Sequence, residues 1–85
     1  MKITLTQIIA EGYTYHGMLR NILGGISLFY NPGTRRWSLF KNKQYDKKTD
    51  DYYYEQANIN GLSYNDRKVI KAVCLAKELE MEKKL

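Results

Sequence analysis

Residues 25–41 read GISLFYNPGTRRWSLFK and carry the clearest structural signal in the chain. Two apolar, aromatic-rich runs lie on either side of Asn31-Pro32-Gly33-Thr34. Proline presets the backbone angle φ at the second position of a turn, glycine allows a positive φ at the third, and an asparagine side chain can cap the first. The flanking apolar and aromatic side chains favour strands. The segment therefore predicts a β-hairpin with Gly33 at positive φ.

The expected hairpin register pairs Tyr30 with Arg35. Because side chains alternate with a period of two along a strand, this register gathers four apolar residues on one face: Ile26, Leu28, Trp37 and Leu39. The other face holds Ser27, Phe29, Arg36, Ser38 and Phe40. We expect helices to cover the first face, with Trp37 in the core, and we expect the second face and the hairpin tip to be a contact surface.

The C-terminal segment predicts a long helix over about residues 64–83. Ser63 is a suitable N-cap, and Asp66 three residues later gives a start like a capping box. Apolar residues then recur at helical spacing and predict the side that covers the sheet: Val69, Ala72, Val73, Ala76 and Leu79, widened by Ile70, Cys74 and Leu75. Cys74 is expected to be a buried, inert thiol.

Residues 42–61 are polar and leave two structures open. Thr49, Asp50 and Asp51 are typical of a helix start, since acidic side chains suit the positive end of the helix dipole. The run Tyr52–Tyr54 favours a strand instead. A third strand beside the hairpin and a short helix are both consistent with this composition.

Residues 2–24 also allow alternatives. Thr4 or Thr6 can cap a short helix that Gly12 ends, whereas the alternation over residues 3–6 suits a short strand. Residues 15–23 have apolar side chains at one-helical-face spacing, with Gly24 as the C-cap, and favour a second helix. The alternative is a strand, in which Tyr13, Tyr15, Leu19 and Leu23 would share one face with Gly17 and Asn21. The whole chain thus predicts a single α+β domain over residues 1–85, with a central antiparallel hairpin of two or three strands packed against a long C-terminal helix and a short N-terminal helical segment.

Length and cysteine content limit the class of protein. A chain of 85 residues has room for one hydrophobic core. A single cysteine excludes an internal disulfide and therefore a disulfide-stapled secreted scaffold. No apolar stretch suits a signal peptide or a membrane span. We therefore expect a cytoplasmic location and no membrane partner.

The net charge of +5 is unevenly distributed. Residues 31–48 contain six basic residues against Asp46 alone: Arg35, Arg36, Lys41, Lys43, Lys47 and Lys48. Residues 49–66 contain four acidic residues and no basic one: Asp50, Asp51, Glu55 and Asp66. A basic hairpin beside an acidic segment favours an oriented binding partner over a general polyanion binder.

No residue pattern indicates catalysis. His16 is the only histidine, and Cys74 the only cysteine, so an ordinary zinc site cannot be assembled. Glycine-rich phosphate loops and nucleophile elbows are missing from the sequence. Asp50, Asp51 and Glu55 could hold a cation only weakly. We therefore expect a protein that is not an enzyme, with no cofactor, no metal and no small-molecule substrate.

The leading hypothesis is a small binding protein that regulates or inhibits a nucleic-acid-handling target by protein–protein contact. Eight tyrosines support it, because Tyr, Trp and Arg concentrate binding energy in protein interfaces. The expected binding residues are Phe29, Tyr30, Arg35, Arg36, Lys41, Lys43, Tyr52, Tyr53 and Tyr54. Small domains of this size and composition also occur among phage and mobile-element accessory proteins, including anti-CRISPR inhibitors. The expected partner is a protein, alone or within a nucleoprotein complex.

Direct DNA binding is the alternative. Arg35, Arg36, Lys41 and Lys43 could contact phosphates, and nearby aromatic side chains could stack on bases. If residues 6–23 form two short helices, the order helix, helix, hairpin resembles a winged helix-turn-helix, with NPGTRR as the wing. That resemblance implies a DNA-binding regulator.

Overall fold

The computed structural model describes residues 2–22 and 25–83 and shows an α+β domain. A five-stranded antiparallel sheet has the strand order β1-β5-β4-β3-β2. The elements follow the chain as β1 (Lys2–Thr4), α1 (Leu5–Ala10), β2 (Thr14–Leu19), β3 (Ile26–Asn31), β4 (Arg36–Asp46), β5 (Asp51–Gln56), a 3₁₀ turn (Ile59–Gly61) and α2 (Tyr64–Lys83). The predicted α+β class is confirmed, and the sheet is larger than the two or three strands expected.

The N-terminal residues use both of the structures that the sequence left open. β1 pairs with β5, and Thr4 then ends the strand and caps α1. The Thr4 hydroxyl accepts from the Gln7 backbone N–H at 3.1 Å, and the Gln7 side chain accepts from the Thr4 backbone N–H at 2.9 Å. This reciprocal capping box satisfies two otherwise unpaired donors, which is why six residues suffice for a helix here.

The central hairpin is confirmed, but its register differs by two residues from the expected one. Tyr30 pairs with Trp37 and Asn31 with Arg36, so residues 32–35 form a four-residue loop. A shift of two leaves every side chain on its expected face, because the side-chain period is two. The positive φ of 57° falls at Arg35 and not at Gly33, so the expected turn geometry was wrong.

The hairpin between β4 and β5 has a loop of the same length and geometry. Asp46 pairs with Asp51, and residues 47–50 form the loop. The Asp46 carboxylate accepts from the backbone N–H of Lys48 at 2.9 Å, as the Asn31 side chain does from Gly33. The fourth loop residue again has positive φ, here 53° at Asp50. The structure therefore resolves the ambiguous residues 51–56 as a strand.

Residues 14–19 form β2, so the expected helix over residues 15–23 was wrong. Tyr15 lies opposite Phe29 in β3, and their ring centroids are 5.3 Å apart. A bulge follows at Gly17, whose φ of 106° is accessible mainly to glycine. The bulge re-aligns the strand, so its apolar residues do not alternate regularly and imitate helical spacing. Leu23 and the expected cap at Gly24 lie outside the described residues.

The sheet buries apolar side chains on both faces. One cluster lies beneath α2 and consists of Ile22, Ile26, Leu28, Leu39, Ile70 and Cys74, with Trp37 packed against it. A second cluster lies beneath α1 and consists of Ile8, Phe29, Phe40 and Tyr54. The expectation that Phe29 belongs to an exposed contact face was wrong, because α1 covers that face and Phe29 is fully buried.

Helix α2 has the predicted bounds but a different buried side. The Ser63 hydroxyl caps it by accepting from the Asp66 backbone N–H at 3.2 Å. Only Ile70 and Cys74 are buried, whereas Val69 and Leu79 remain about half exposed. Burial raises the pKa of the Cys74 thiol to about 11, in line with the expected inert cysteine. The sequence showed the apolar spacing but not which side would meet the sheet.

Asn31 ties the hairpin loop to the end of α1. Its Oδ1 accepts from the Gly33 N–H at 2.9 Å, and its Nδ2 donates to the Glu11 carbonyl at 3.2 Å. We expect Asn31→Ala to lower the free energy of unfolding by about 2 kcal/mol, and Asn31→Asp, which keeps the loop acceptor, by about 1 kcal/mol. Urea denaturation measures both, and equal losses would show that the loop acceptor contributes nothing.

Candidate protein-binding surface

The hairpin tip carries the two arginines that the sequence placed in a binding site. Arg35 and Arg36 are exposed, and Tyr30 is half-buried. A groove of about 480 Å³ runs beside the tip and is also lined by Glu78 and Glu82 of α2. The glutamates reduce the positive potential at Arg35, so the tip is less suited to a polyanion than the sequence alone indicated.

The other predicted binding residues do not form one site with the tip. Phe29 and Tyr54 are buried in the cluster beneath α1, so a partner cannot reach them. Lys41 is exposed midway along β4, opposite Glu55 of β5. Lys43, Tyr52 and Tyr53 lie toward the far end of β4, an eleven-residue strand that spans about 35 Å. The predicted set therefore divides between two ends of the sheet.

The far end of the sheet carries a surface rich in lysine and tyrosine. We call it the lysine–tyrosine surface and define it by Lys2, Lys43, Tyr45, Lys47, Lys48, Tyr52 and Tyr53. A groove of about 530 Å³ there is lined by six of these seven residues, with Thr4, Asp46, Thr49 and Asp51. It lies where β1, β4, β5 and the loop of residues 47–50 meet. The sequence predicted Lys43, Tyr52 and Tyr53 but missed the other four.

A bulge in β4 builds this surface. Lys41 pairs with Glu55 but Gln44 pairs with Tyr53, so β4 has one extra residue here. Asn42 takes a positive φ of 54° at the bulge, and its side-chain amide donates to the Glu55 carboxylate at 2.6 Å. Asparagine tolerates this conformation better than most residues. The extra residue sets the faces of residues 44–46 and so lets Tyr45 lie opposite Tyr52.

The tyrosine rings of the surface are held in place before any partner binds. The Tyr45 and Tyr52 ring centroids are 5.3 Å apart, and the Lys43 ammonium lies 4.4 Å from the centre of the Tyr52 ring. Tyr45 donates its hydroxyl hydrogen bond to Asp50, which raises the pKa of that phenol. Tyr45 and Tyr52 are nevertheless 48% and 38% exposed. Such pre-positioned but accessible rings lose little conformational entropy on binding.

A similar arrangement holds Tyr53 on the opposite face of the sheet. Its hydroxyl donates to the side-chain carbonyl of Gln44, and the Lys2 ammonium lies 4.9 Å from the centre of its ring. Tyr52 and Tyr53 point to opposite faces because they are consecutive in a strand. The lysine–tyrosine surface therefore wraps around the end of the sheet.

The charge of this surface is mixed. Its four lysines, Lys2, Lys43, Lys47 and Lys48, are interleaved with three aspartates, Asp46, Asp50 and Asp51, which leaves a net charge of +1. A phosphate-binding surface carries a larger uncompensated positive charge. The mixture of tyrosine with both signs of charge is closer to the composition of a protein interface.

His16 lies away from this surface, against Trp37 and near Lys77. Partial burial lowers the pKa of His16, and the positive charge of Lys77 lowers it further. The folded protein therefore resists protonation of His16, whereas the unfolded chain takes up that proton at the ordinary histidine pKa of 6.5. We expect the free energy of unfolding to fall as the pH is lowered through about 6.5 toward about 5.

Urea denaturation at several pH values checks this prediction. His16→Gln removes the titrating group while keeping a hydrogen-bonding side chain near Thr14, whose hydroxyl lies 2.8 Å from the imidazole Nε2. The variant should lose less stability than the parent protein between about pH 7.5 and about pH 5.5. An identical loss in both proteins would contradict a lowered pKa at His16.

Comparisons with known proteins add no assignment. No family model matches the chain, and neither the curated proteins nor the solved structures gave a significant match. Among residues 2–22 and 25–83, no three His, Cys, Asp or Glu side chains are grouped so that they could hold a metal ion. Within the same part of the chain, no helix is long and apolar enough to cross a membrane.

Proposed function

We propose that this chain is a non-enzymatic binding protein that acts by protein–protein contact through its lysine–tyrosine surface. The observation that carries this proposal is the group of accessible, pre-positioned tyrosines among lysines and aspartates of nearly balanced charge. Tyrosine concentrates binding energy in protein interfaces, and mixed charges select the orientation of the partner.

The target that we propose is a component of nucleic-acid-handling machinery, which the protein regulates or inhibits in the cytoplasm. Support comes from the sequence: a small basic chain with no catalytic motif and a surplus of tyrosine. The same features support a phage or mobile-element accessory protein, with an inhibitor of the anti-CRISPR kind as one example. A partner surface that carries both signs of charge beside apolar side chains would complement the lysine–tyrosine surface.

Substitution of single tyrosines tests the proposal. Affinity capture from the native host identifies a partner, and biolayer interferometry then measures its affinity for purified variants. We expect Tyr52→Ala and Tyr45→Ala each to weaken binding by about 30-fold or more, as for a hot-spot residue. Tyr64→Ala is the matched control, because Tyr64 is 65% exposed but lies at the start of α2.

Two outcomes would contradict the proposal. Equal affinity of the Tyr52→Ala and Tyr64→Ala variants would exclude the lysine–tyrosine surface as the interface. A captured partner that neither binds nor processes nucleic acid would exclude the proposed class of target, although the lysine–tyrosine surface could still be the interface.

Direct nucleic-acid binding is the second candidate, and the exposed Arg35 and Arg36 favour it. A winged helix-turn-helix does not support this candidate, because residues 14–19 form β2. The described residues 2–22 therefore lack the pair of helices that such a fold requires. Binding of labelled duplex DNA should then weaken steeply with rising salt concentration and with Arg35→Ala combined with Arg36→Ala. Failure to bind DNA or RNA at low salt would exclude this candidate.

A further inference from the structure

Helix α2 exposes an apolar stripe on the side that faces away from the sheet. The outer stripe consists of Val69, Ala72, Ala76 and Leu79, with Leu75 beside it. Val69, Leu75 and Leu79 are 48%, 57% and 50% exposed. A row of apolar side chains on one side of a helix, bordered by charged residues, is typical of an interaction site. It shares no residue with the lysine–tyrosine surface.

The outer stripe lies on the opposite side of α2 from the residues packed on the sheet. Successive residues of an α-helix are rotated by about 100°, so Ala72 and Ala76 lie roughly opposite Ile70 and Cys74. The spacing of the stripe residues is three, four and three, which is the spacing of a helix–helix seam. The polar residues Asn65 and Lys83 continue the same line and limit the seam to the middle of the helix.

The charges beside the outer stripe reverse sign along α2. Among the exposed charged residues beside the outer stripe, the N-terminal half carries Lys68 and Lys71, and the C-terminal half carries Glu80 and Glu82, with Lys83 at its end. An identical helix placed antiparallel would meet each half with the opposite charge. A parallel copy would place like charges level with each other, and its helix dipoles would also repel.

We propose that the outer stripe binds a second copy of this chain in an antiparallel, two-fold symmetric dimer. The two-fold axis passes near residue 74, which places Val69 of one copy against Leu79 of its partner and Ala72 against Ala76. The two alanines allow the helix backbones to approach closely at the centre. Lys68 of one copy then lies on the same edge as Glu82 of the other. Such an isologous contact needs only one self-complementary surface.

The length of α2 limits the area that the dimer can bury. Helix α2 is 20 residues long, or about 30 Å, and one such helix covers less than the roughly 800 Å² per partner of a standard interface. We therefore expect a micromolar dissociation constant, with monomer at low and dimer at high protein concentration.

Sedimentation equilibrium of the full chain, from about 1 to about 500 µM, tests for the dimer. We expect the parent protein to dimerise and Leu79→Glu to raise the dissociation constant by about tenfold or more, because a buried carboxylate has no partner at that position. Ile9→Glu is the matched control, since Ile9 is 58% exposed on α1. Far-UV circular dichroism confirms that each variant is folded.

Charge reversal tests the orientation. Lys68→Glu should weaken the dimer, and Lys68→Glu combined with Glu82→Lys should restore it. Lys68→Glu also removes a contact within one chain, because the Lys68 ammonium lies 5.1 Å from the centre of the Tyr64 ring. Glu82→Lys does not restore that contact, so recovery of the dimer would come from the pairing of residues 68 and 82 between the two copies. A monomer at every concentration, a Leu79→Glu variant that dimerises like the parent, or a Lys68→Glu dimer that is stronger would each overturn the proposal.

Discussion

Phe29→Ala should lower the free energy of unfolding by about 3–5 kcal/mol, the usual cost of removing a buried aromatic side chain. Phe29 is fully buried, and its ring centroid lies 5.4 Å from that of Phe40 and 5.6 Å from that of Tyr54, both nearly edge to face. An alanine there removes the centre of the cluster beneath α1. The expected loss is a large fraction of the total stability of so small a domain.

Urea denaturation followed by circular dichroism measures this loss, and Tyr15→Ala is the matched control. Tyr15 contacts the same Phe29 ring at 5.3 Å but is 51% exposed, so its truncation should cost about 1 kcal/mol. If the two substitutions cost the same, the cluster beneath α1 would not be the second core of the protein. A folded Phe29→Ala variant with lost partner binding would instead support the contact role that the sequence indicated.

The hairpin and α2 could be predicted because their signals are local. The turn signal Asn31-Pro32-Gly33 spans the end of β3 and the start of the loop, and Ser63 caps the helix that follows it directly. The register was wrong by two residues because a shift of two leaves every side chain on the same face, so patterning alone cannot distinguish the two registers.

The packing of α1 over the sheet face that carries Phe29 could not be predicted, because it depends on contacts between segments that are distant in the chain. Phe29 and Tyr54 are 25 residues apart in the chain, and Ile8 joins their cluster because β1, which leads into α1, pairs with β5. The side of α2 that meets the sheet is likewise determined by tertiary contacts, since apolar residues occur on two sides of the helix.

The lysine–tyrosine surface was only partly predictable for a related reason. Tyr52 and Tyr53 stood out as a run, but Tyr45 acquires its place through the bulge at Asn42. One signal was available: Asp46 and Thr49 have the same spacing as Asn31 and Thr34 of the first hairpin loop. Reading that repeat would have indicated a second hairpin, and with it the position of Lys47 and Lys48 at a loop tip.

The attachment of α2 to the sheet depends on Trp37. Its indole Nε1–H donates to the Glu78 carboxylate at 2.6 Å, and its ring packs against the cluster beneath α2. Hydrogen bonds to charged groups are stronger than neutral ones, at about 1.5–3 kcal/mol. We expect Trp37→Ala to lower the free energy of unfolding by about 3–4 kcal/mol and Trp37→Phe, which keeps an aromatic ring, by about 2 kcal/mol.

Two measurements separate a detached helix from a general loss of stability. Circular dichroism at 222 nm follows unfolding, since Trp37 is the only tryptophan and its fluorescence is lost in both variants. Alkylation of Cys74 follows local opening, because this thiol is buried between α2 and the sheet and its pKa is raised to about 11. Cys74 should react faster in Trp37→Ala than in Asn31→Ala, whose substitution lies outside that contact. Equal reaction rates would contradict a role of Trp37 in holding α2 to the sheet.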